Sequence, residues 1–584
     1  MLRELKEAFR RFHEEGVLLP TNYKEKRVSW LVRLEGEKAC LEHLGRGKGV
    51  KPIPAPDRQR SGKASENNLK PYLLVDDARY VLGIPEKGKE KEARLLHRSF
   101  VGLLEEACHE TKLPALEKVL QLLKSLKVRT IKRQFLNQGG KPRDLVAFKV
   151  DGVLPTDLDE VRDFWSRFLA RKLEKEEGYC GLCGEKKKVV STFPREVVIL
   201  GQKCQMVSFN KGAFNSFGKK QTENAPTCYA CASQVVDALD YLSRSERHHR
   251  TLYWEAKGGL QNQLAVFWLK EPVTVPSEGP AGSLDLEAAL GGLLSEEVGP
   301  DTPLPDLAQL RELLKAPWTG SQWPTHLDEV SFYLAVLSAN KGRLVVREWF
   351  AVSLGRLKEA VARFLEATRL VGPRGEDPRP MAIGALIQAL GEANPTLARD
   401  LIRTAFLGAA PPQELLLALH LLRNPKLLSP SGPKEWGRLH ALMAAVKLWL
   451  FYKKEGTCMA ELDREQRNPA YLAGRLLAVL EEAQKRALRY RVKQTLVDRF
   501  YGAACTAPAA TFGNLLRIAT TAHLPKVGSE LRKMVEEILA ALDQAGGFPR
   551  TLDLTGQAEF ALGFYQQRAE LRAKSHKESG KEAQ

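Results

Sequence analysis

Apolar residues at helical spacing open the chain: Leu2, Leu5, Phe9 and Phe12 share one face, and Gly16 ends the run. Residues 45–71 break the pattern with Gly45, Gly47, Gly49, Pro52, Pro54, Pro56, Gly62 and Pro71. That is too much Gly and Pro for a long regular element, and it predicts a mobile loop. Tyr72–Leu82 has strand-like apolar character and closes at Gly83. Three helical faces follow: Phe100, Leu103, Leu104 and Ala107; then, after Pro114, Leu116, Val119, Leu120 and Leu123; then Val161, Phe164, Trp165 and Phe168. A fourth carries Val235, Val236, Leu239 and Leu242, and Leu264–Leu269 is an apolar run of strand length. Residues 271–330 are rich in Pro, Gly and Ser and predict a linker or partly ordered insertion. Strand-like runs at Phe332–Leu337 and Arg343–Val352 come next. From about residue 355 the pattern is almost purely helical, broken at Ser429–Lys434. Long amphipathic runs at Tyr471–Leu488, Phe512–Thr520 and Leu531–Leu542 predict a C-terminal antiparallel bundle. No repeat of fixed 20–50-residue period is visible.

This order of elements predicts an α+β, multidomain chain. Its expected parts are a mixed N-terminal domain (1–177), a cysteine module (178–245), a strand-containing middle region with an acidic linker (246–355), a helical region (356–458) and an all-α helical bundle (459–584). With 584 residues, 43% hydrophobic and 27% charged, the composition is ordinary for a globular protein and excludes a wholly disordered or collagenous chain. Every apolar run falls short of the roughly 20 residues of a membrane span. The longest, around Ala441–Phe451, is interrupted by Lys447. The charged N-terminus lacks the apolar core of a signal peptide, and nine cysteines are too few for a disulfide scaffold. A soluble, cytoplasmic protein with no membrane partner is expected.

The net charge of +18 is unevenly placed. Residues 1–100 hold 22 Lys/Arg against 15 Asp/Glu, and residues 124–149 hold eight against the single acid Asp144. Residues 271–340 invert the sign, with eleven acids against Arg311 and Lys315. Segregated basic charge is what phosphate neutralisation needs, so a nucleic-acid partner is favoured over a surface kept basic for solubility.

Two Cys-x-x-Cys pairs, Cys180/Cys183 and Cys228/Cys231, stand 44 residues apart. Each pair can present two thiolates to one tetrahedral ion, and zinc is the usual occupant of a four-thiolate site. The gap requires a ribbon or inserted loop between them. A redox dithiol is the alternative for one pair, but two pairs in one segment favour structural zinc. Four thiolates would close the coordination shell, whereas catalytic zinc keeps an open position. A zinc-dependent nuclease braced by such knuckles would need a histidine base between them, and no histidine occurs from Gly184 to Thr227. His248-His249, among Arg244, Arg247 and Arg250, is expected to be a surface basic cluster. Gly83–Lys89 has phosphate-loop spacing, but Glu90 replaces the magnesium-binding hydroxyl and Pro85 removes a backbone donor. Asp76-Asp77 is expected to be structural, because adjacent strand residues point to opposite faces.

Several strings resemble, in order, the large subunit of the type I-C CRISPR surveillance complex (Cascade). They are Leu69-Lys-Pro-Tyr-Leu-Leu-Val-Asp-Asp-Ala-Arg-Tyr-Val-Leu-Gly83, Val207-Ser-Phe-Asn-Lys-Gly-Ala-Phe-Asn-Ser-Phe-Gly218 with Asn224-Ala-Pro226, the run from Ser331-Phe-Tyr to Asn340 with Arg343–Trp349, Tyr501-Gly-Ala-Ala504, and Phe564-Tyr-Gln-Gln-Arg568. The family's histidine-containing stretch after the first knuckle is replaced here by Ser191-Thr-Phe-Pro-Arg-Glu196, and many relatives lack the full cysteine quartet. Zinc is therefore argued from this sequence alone.

The resemblance implies a non-catalytic subunit in a complex guided by crRNA. Such a subunit engages the PAM of double-stranded DNA, assists unwinding and R-loop formation, holds displaced strand and recruits a helicase-nuclease. Its implied partners are the Cascade backbone, crRNA-processing and small subunits. On this reading Arg60, Lys63 and Lys70 bind phosphates, Asn67 and Asn68 read base edges, and Tyr72 stacks or wedges a base step. Lys132 and Arg133 line the strand path, and Lys211, Lys219 and Lys220 touch the backbone. The C-terminal bundle resembles the family's small subunit, which can be made separately from an internal start. Met459 stands just ahead of it.

Overall fold

In the computed structural model, described for residues 1–45, 47–58, 60, 69–209, 212–219, 221–256, 259–276, 283–294, 310, 328–391 and 395–581, the chain forms two compact units. One comprises Met1–Arg244 with Ala339–Val345, the other Ser245–Ser338 with Val346–Gln584.

The first unit begins with α1 (Leu2–Glu14), which buries Leu5, Ala8 and Phe12 as its spacing predicts. Strands β1 (Tyr23–Lys26), β2 (Trp30–Glu35), β3 (Lys38–His43) and β4 (Ile53–Pro56) follow. β1 and β4 pair antiparallel, Tyr23 opposite Pro56. The Gly/Pro-rich stretch expected as a loop thus contributes a strand, and Ala55 within it is fully buried. Next come β5 (Asp76–Asp77), α2 (Ala78–Val81), α3 (Glu90–Thr111), α4 (Pro114–Lys124), α5 (Lys127–Asn137), β6 (Leu145–Val150) and α6 (Asp159–Leu173). A four-stranded sheet has the order β3-β2-β6-β5, with β2 and β6 parallel. A parallel pair needs a long crossover, and α3 to α5 lie within it. Trp30 anchors the sheet: its Nε1 donates to Asp144 Oδ2 at 3.0 Å, and its ring meets those of His43 and Phe135.

Tyr72–Leu82 departs from the expected strand. Only Asp76–Asp77 is extended into the sheet, and the chain then turns into α2 because the Asp77 carboxylate accepts the Arg79 N–H as an N-cap. Leu73, Leu74 and Val75 are apolar because they are buried, not because they form a ladder.

The unit closes with the hairpin β7 (Glu174–Tyr179) and β8 (Lys186–Val190), the pair β9 (Val197–Ile199) and β10 (Gln202–Cys204), and α7 (Tyr229–Arg244). α7 buries Val235, Val236, Leu239 and Leu242, as their spacing predicts.

The second unit starts with β11 (His249–Ala256), β12 (Gly259–Leu269), β13 (Thr274–Pro276), β14 (Ser283–Asp285) and α8 (Leu286–Gly292). β11 and β12 join β15 (Ser331–Asn340) and β16 (Arg343–Ser353) in a sheet of order β11-β12-β15-β16. Within the segment expected to be a linker, α8 instead inserts Leu286, Ala289 and Leu290 into the core. Gly291 is required there: a Cβ would lie 2.3 Å from the Phe267 ring.

Helices α9 (Leu354–Thr368), α10 (Ile383–Leu390), α11 (Pro395–Leu407), α12 (Leu417–Leu421), α13 (Pro425–Leu428), α14 (Pro433–Lys453), α15 (Pro469–Ala487), α16 (Leu496–Thr506), α17 (Pro508–Ile518), α18 (Ser529–Gln544) and α19 (Leu554–Lys581) complete it. One hydrophobic core runs from Leu252 on the sheet to Leu571 on α19. Lys447 within α14 is fully buried. Its Nζ donates to Glu366 O at 2.9 Å and Ala367 O at 3.2 Å, placing a cation on the C-terminal carbonyls of α9.

Candidate metal centre and nucleic-acid interface

The turn of the β7–β8 hairpin holds Cys180 and Cys183; Cys228 stands immediately before α7 and Cys231 in its first turn. Their four Sγ atoms all lie within 4.8 Å of one another. Cys180, Cys228 and Cys231 are buried and Cys183 is half-buried. Thiolates around one ion with metal–sulfur distances near 2.3 Å have sulfurs under about 4 Å apart, so the donor set and its spacing fit a four-coordinate metal. The backbone is arranged for it. Gly184 takes a φ of +75°, letting its N–H reach Cys180 O at 2.8 Å. Gly181 N–H meets Pro226 O at 2.8 Å and Val190 N–H meets Thr227 O at 2.9 Å, so both knuckles are tied to each other. Cys228 N–H donates to Cys180 Sγ at 3.3 Å. Burial works against the Cys180 thiolate, yet N–H donors from Cys228, Cys183 and Leu182 bring its pKa down to about 7. Burial pushes the Cys231 and Cys228 thiols up. The helix N-terminus favours negative charge on this side. Cys204, a cysteine outside the quartet, is fully buried on β10.

Behind the cysteines, Arg195 is sunk between two acids of α7. Its Nη2 lies 2.8 Å from Asp237 Oδ1 and its Nη1 3.3 Å from Asp240 Oδ1. One guanidinium serves two carboxylates. Burial raises Asp237 to about 6, while Arg195 and Arg244 hold Asp240 below its ordinary value.

The residues expected to meet DNA occupy three places. Arg60, Lys70 and Tyr72 belong to a half-buried cluster with Lys26 and Arg58. Arg60 pairs with fully buried Asp76, and its Nε donates to Lys70 O at 2.7 Å. The Tyr72 ring has Lys26 Nζ 3.3 Å and Arg60 Cζ 3.6 Å from its centroid. Asp57 and Asp76 do not match this much positive charge. Burial, with repulsion from Arg60, lowers Lys26 to about 8 and Arg58 to about 10. Burial and Arg58 lower Lys70. Lys63, Asn67 and Asn68 lie outside the described residues.

Lys132 and Arg133 stand on α5, which has no acidic residue. Val128, Ile131 and Phe135 face inward, leaving Arg129 and Arg133 exposed and Lys132 half-buried. Among the described residues none of these three cations is in an ion pair, whereas Lys124 pairs with Glu105 and Arg143 with Glu86. Lys132 is lowered by burial and by Arg129 beside it. Arg129 completes this face; its i, i+3, i+4 spacing to Lys132 and Arg133 was readable in the sequence.

Lys219 is exposed in a tight turn after β10. Lys211 and Lys220 lie outside the described residues. His248 is not on the surface: it is 1% exposed, with Nδ1 3.6 Å from the buried carboxylate of Glu287. The neighbouring arginines suggested a solvated cluster, but Arg247 turns to Asp285 and Glu287.

A protein-family model described as CRISPR-associated protein (Cas_Csd1) matches residues 2–572. No curated protein matches the chain.

Proposed function

Because the chain belongs to the CRISPR-associated Csd1 family, we propose that it is the DNA-binding large subunit of a crRNA-guided type I-C surveillance complex. In this role it recognises the PAM in double-stranded DNA, helps open the duplex, and leaves cutting to a recruited helicase-nuclease. The observation that carries this reading is the family match over nearly the whole chain. Two sets of cations support it: Arg58 and Lys70, which burial holds below their ordinary pKa values, and Arg129 and Arg133, which stand exposed on an acid-free helix. Both sets gain by meeting phosphate.

The four-cysteine centre holds zinc in a structural role, on the strength of its closed thiolate shell. The subunit works in the cytoplasm beside backbone, crRNA-processing and small subunits. No helix among the described residues is long and apolar enough to cross a membrane. Met459 opens a C-terminal fragment containing α15 to α19, which a second start could supply as a separate small subunit. Mass spectrometry of a C-terminally tagged product, lost on Met459→Leu, tests that point.

The main test incubates the purified full-length chain with labelled duplex, with and without divalent metal. The reading requires a shifted duplex with intact strands. Metal-dependent strand cleavage would instead establish the nuclease alternative, and no duplex affinity would leave only a scaffold.

A further inference from the structure

Phe217 sits where a folded chain gains nothing from it. It is 99% exposed, and its backbone takes a φ of +52°. Both features are unfavourable: apolar surface stays in water, and a bulky residue occupies the left-handed region. Functional sites are where such strain is retained. The turn presenting it is held firmly. Lys219 N–H donates to Ser216 O at 2.9 Å. The Asn224 side chain clamps the same turn from both ends, its Oδ1 accepting Ser216 N–H at 3.2 Å and its Nδ2 donating to Lys219 O at 3.1 Å.

The surroundings are basic. The hairpin turn between β15 and β16 docks on Gln205, whose N–H donates to Gly342 O at 2.8 Å and whose carbonyl accepts Leu344 N–H at 3.0 Å. Arg343 from that turn lies 4.8 Å from the Phe214 ring centroid. Lys203, Lys219 and Lys341 are exposed; residues 201–219 and 339–345 contain no Asp or Glu, and Glu223, next to the Asn224 clamp, is the acid that follows in the loop.

We infer that Phe217 is a stacking platform for an unpaired base of a bound DNA strand, with the surrounding lysines and Arg343 meeting its phosphates. An exposed ring beside cations, with Phe214 also partly exposed in the same loop, matches a nucleotide, which offers a flat π-face and an anion together. It does not match the core of a protein interface, where charged residues are depleted. A paired, stacked base hides its face, so the occupant is unpaired. Tyr72, the aromatic expected from the sequence to stack on DNA, already carries Lys26 and Arg60 on its ring. This inference rests on the DNA-binding reading above and adds to it the residue that holds opened strand.

The test compares the full-length chain with Phe217→Ala and Phe217→Trp, using single-stranded DNA that carries 2-aminopurine. Because the side chain is exposed, melting temperature and metal content should not change, and both are measured as controls. Phe217→Ala should weaken binding about tenfold and lose the change in 2-aminopurine fluorescence, and Phe217→Trp should retain both. Unchanged binding by Phe217→Ala, or equal loss by both variants, overturns the inference while the DNA-binding reading stands. Phe217-dependent binding of RNA but not DNA overturns the assignment to DNA. A wild-type chain with no affinity for nucleic acid overturns both readings.

Discussion

Arg60 and Asp76 meet as a two-point ion pair: Nη1 lies 3.0 Å from Oδ1, and Nη2 contacts Oδ2. The Asp76 carboxylate is fully buried and also accepts the N–H groups of Tyr72 and Asp77, each at 2.8 Å. One acid thus fixes the edge of the four-stranded sheet and the arginine beneath the segment expected to meet DNA. Breaking a buried pair from one side strands the remaining charge. Asp76→Asn should lower stability by about 3–5 kcal/mol, read as a shift in the urea midpoint. Arg60→Met with Asp76→Leu should recover much of that loss, because no charge is left uncompensated.

The four-cysteine cluster ties the turn of the β7–β8 hairpin to the start of α7, across the 44 residues between its two Cys-x-x-Cys pairs. Metal analysis should find one tightly bound ion per chain. Chelation or Cys228→Ser should release it and destabilise the chain by more than about 2 kcal/mol, seen in thermal melts, with proteolysis opening first between residues 184 and 227. Intact melts after verified metal loss would remove the centre from the account of stability.

Asp237 provides a pH signature. Its carboxyl is raised from an ordinary value near 3.8 to about 6, first by burial, with Arg195 opposing and Asp240 adding to the rise. A raised carboxyl binds its proton more readily in the folded chain, so its contribution falls as pH rises through that window. Stability should therefore decline on this account between about pH 4 and pH 6. Asp237→Asn should flatten the slope over that range in denaturation series taken at each pH.

α15 and α19 cross at two glycines. A Cβ on Gly474 would lie 2.0 Å from Phe560 O, and one on Gly563 would lie 2.2 Å from Tyr471 O. Only a backbone without side chains permits this approach. Gly474→Ala or Gly563→Ala should each cost about 1–3 kcal/mol or more. The two should combine non-additively, because either one already forces the helices apart. Thermal melts of the single and double variants check this.

Much of this architecture was legible as spacing. Val235, Val236, Leu239 and Leu242 mark α7, and the paired Cys-x-x-Cys motifs mark a centre whose sulfurs converge across the 44-residue gap. Misreadings arose where tertiary packing overrides local signals. Ile53–Pro56 looked like loop because Pro and Gly surround it, yet it gains a ladder partner in β1. Leu73–Val75 looked like strand because burial alone demands apolar residues there. His248 looked solvated because its acid partner, Glu287, lies 39 positions away in a segment expected to be a linker. Lys447 interrupted an apolar run, and only the fold reveals the helix end that receives its charge.

The central claim is an electrostatic grip on DNA phosphates, and its most direct test is the salt dependence of duplex binding by the wild-type chain and by Arg129→Glu/Arg133→Glu. The account predicts a steep fall in log K with log salt for the wild type. For the variant it predicts weaker binding with a slope smaller by about 2, one for each phosphate that is no longer neutralised, while strands stay intact in both. Identical slopes and affinities for the two proteins, or cleavage of the duplex by the chain itself, would contradict it.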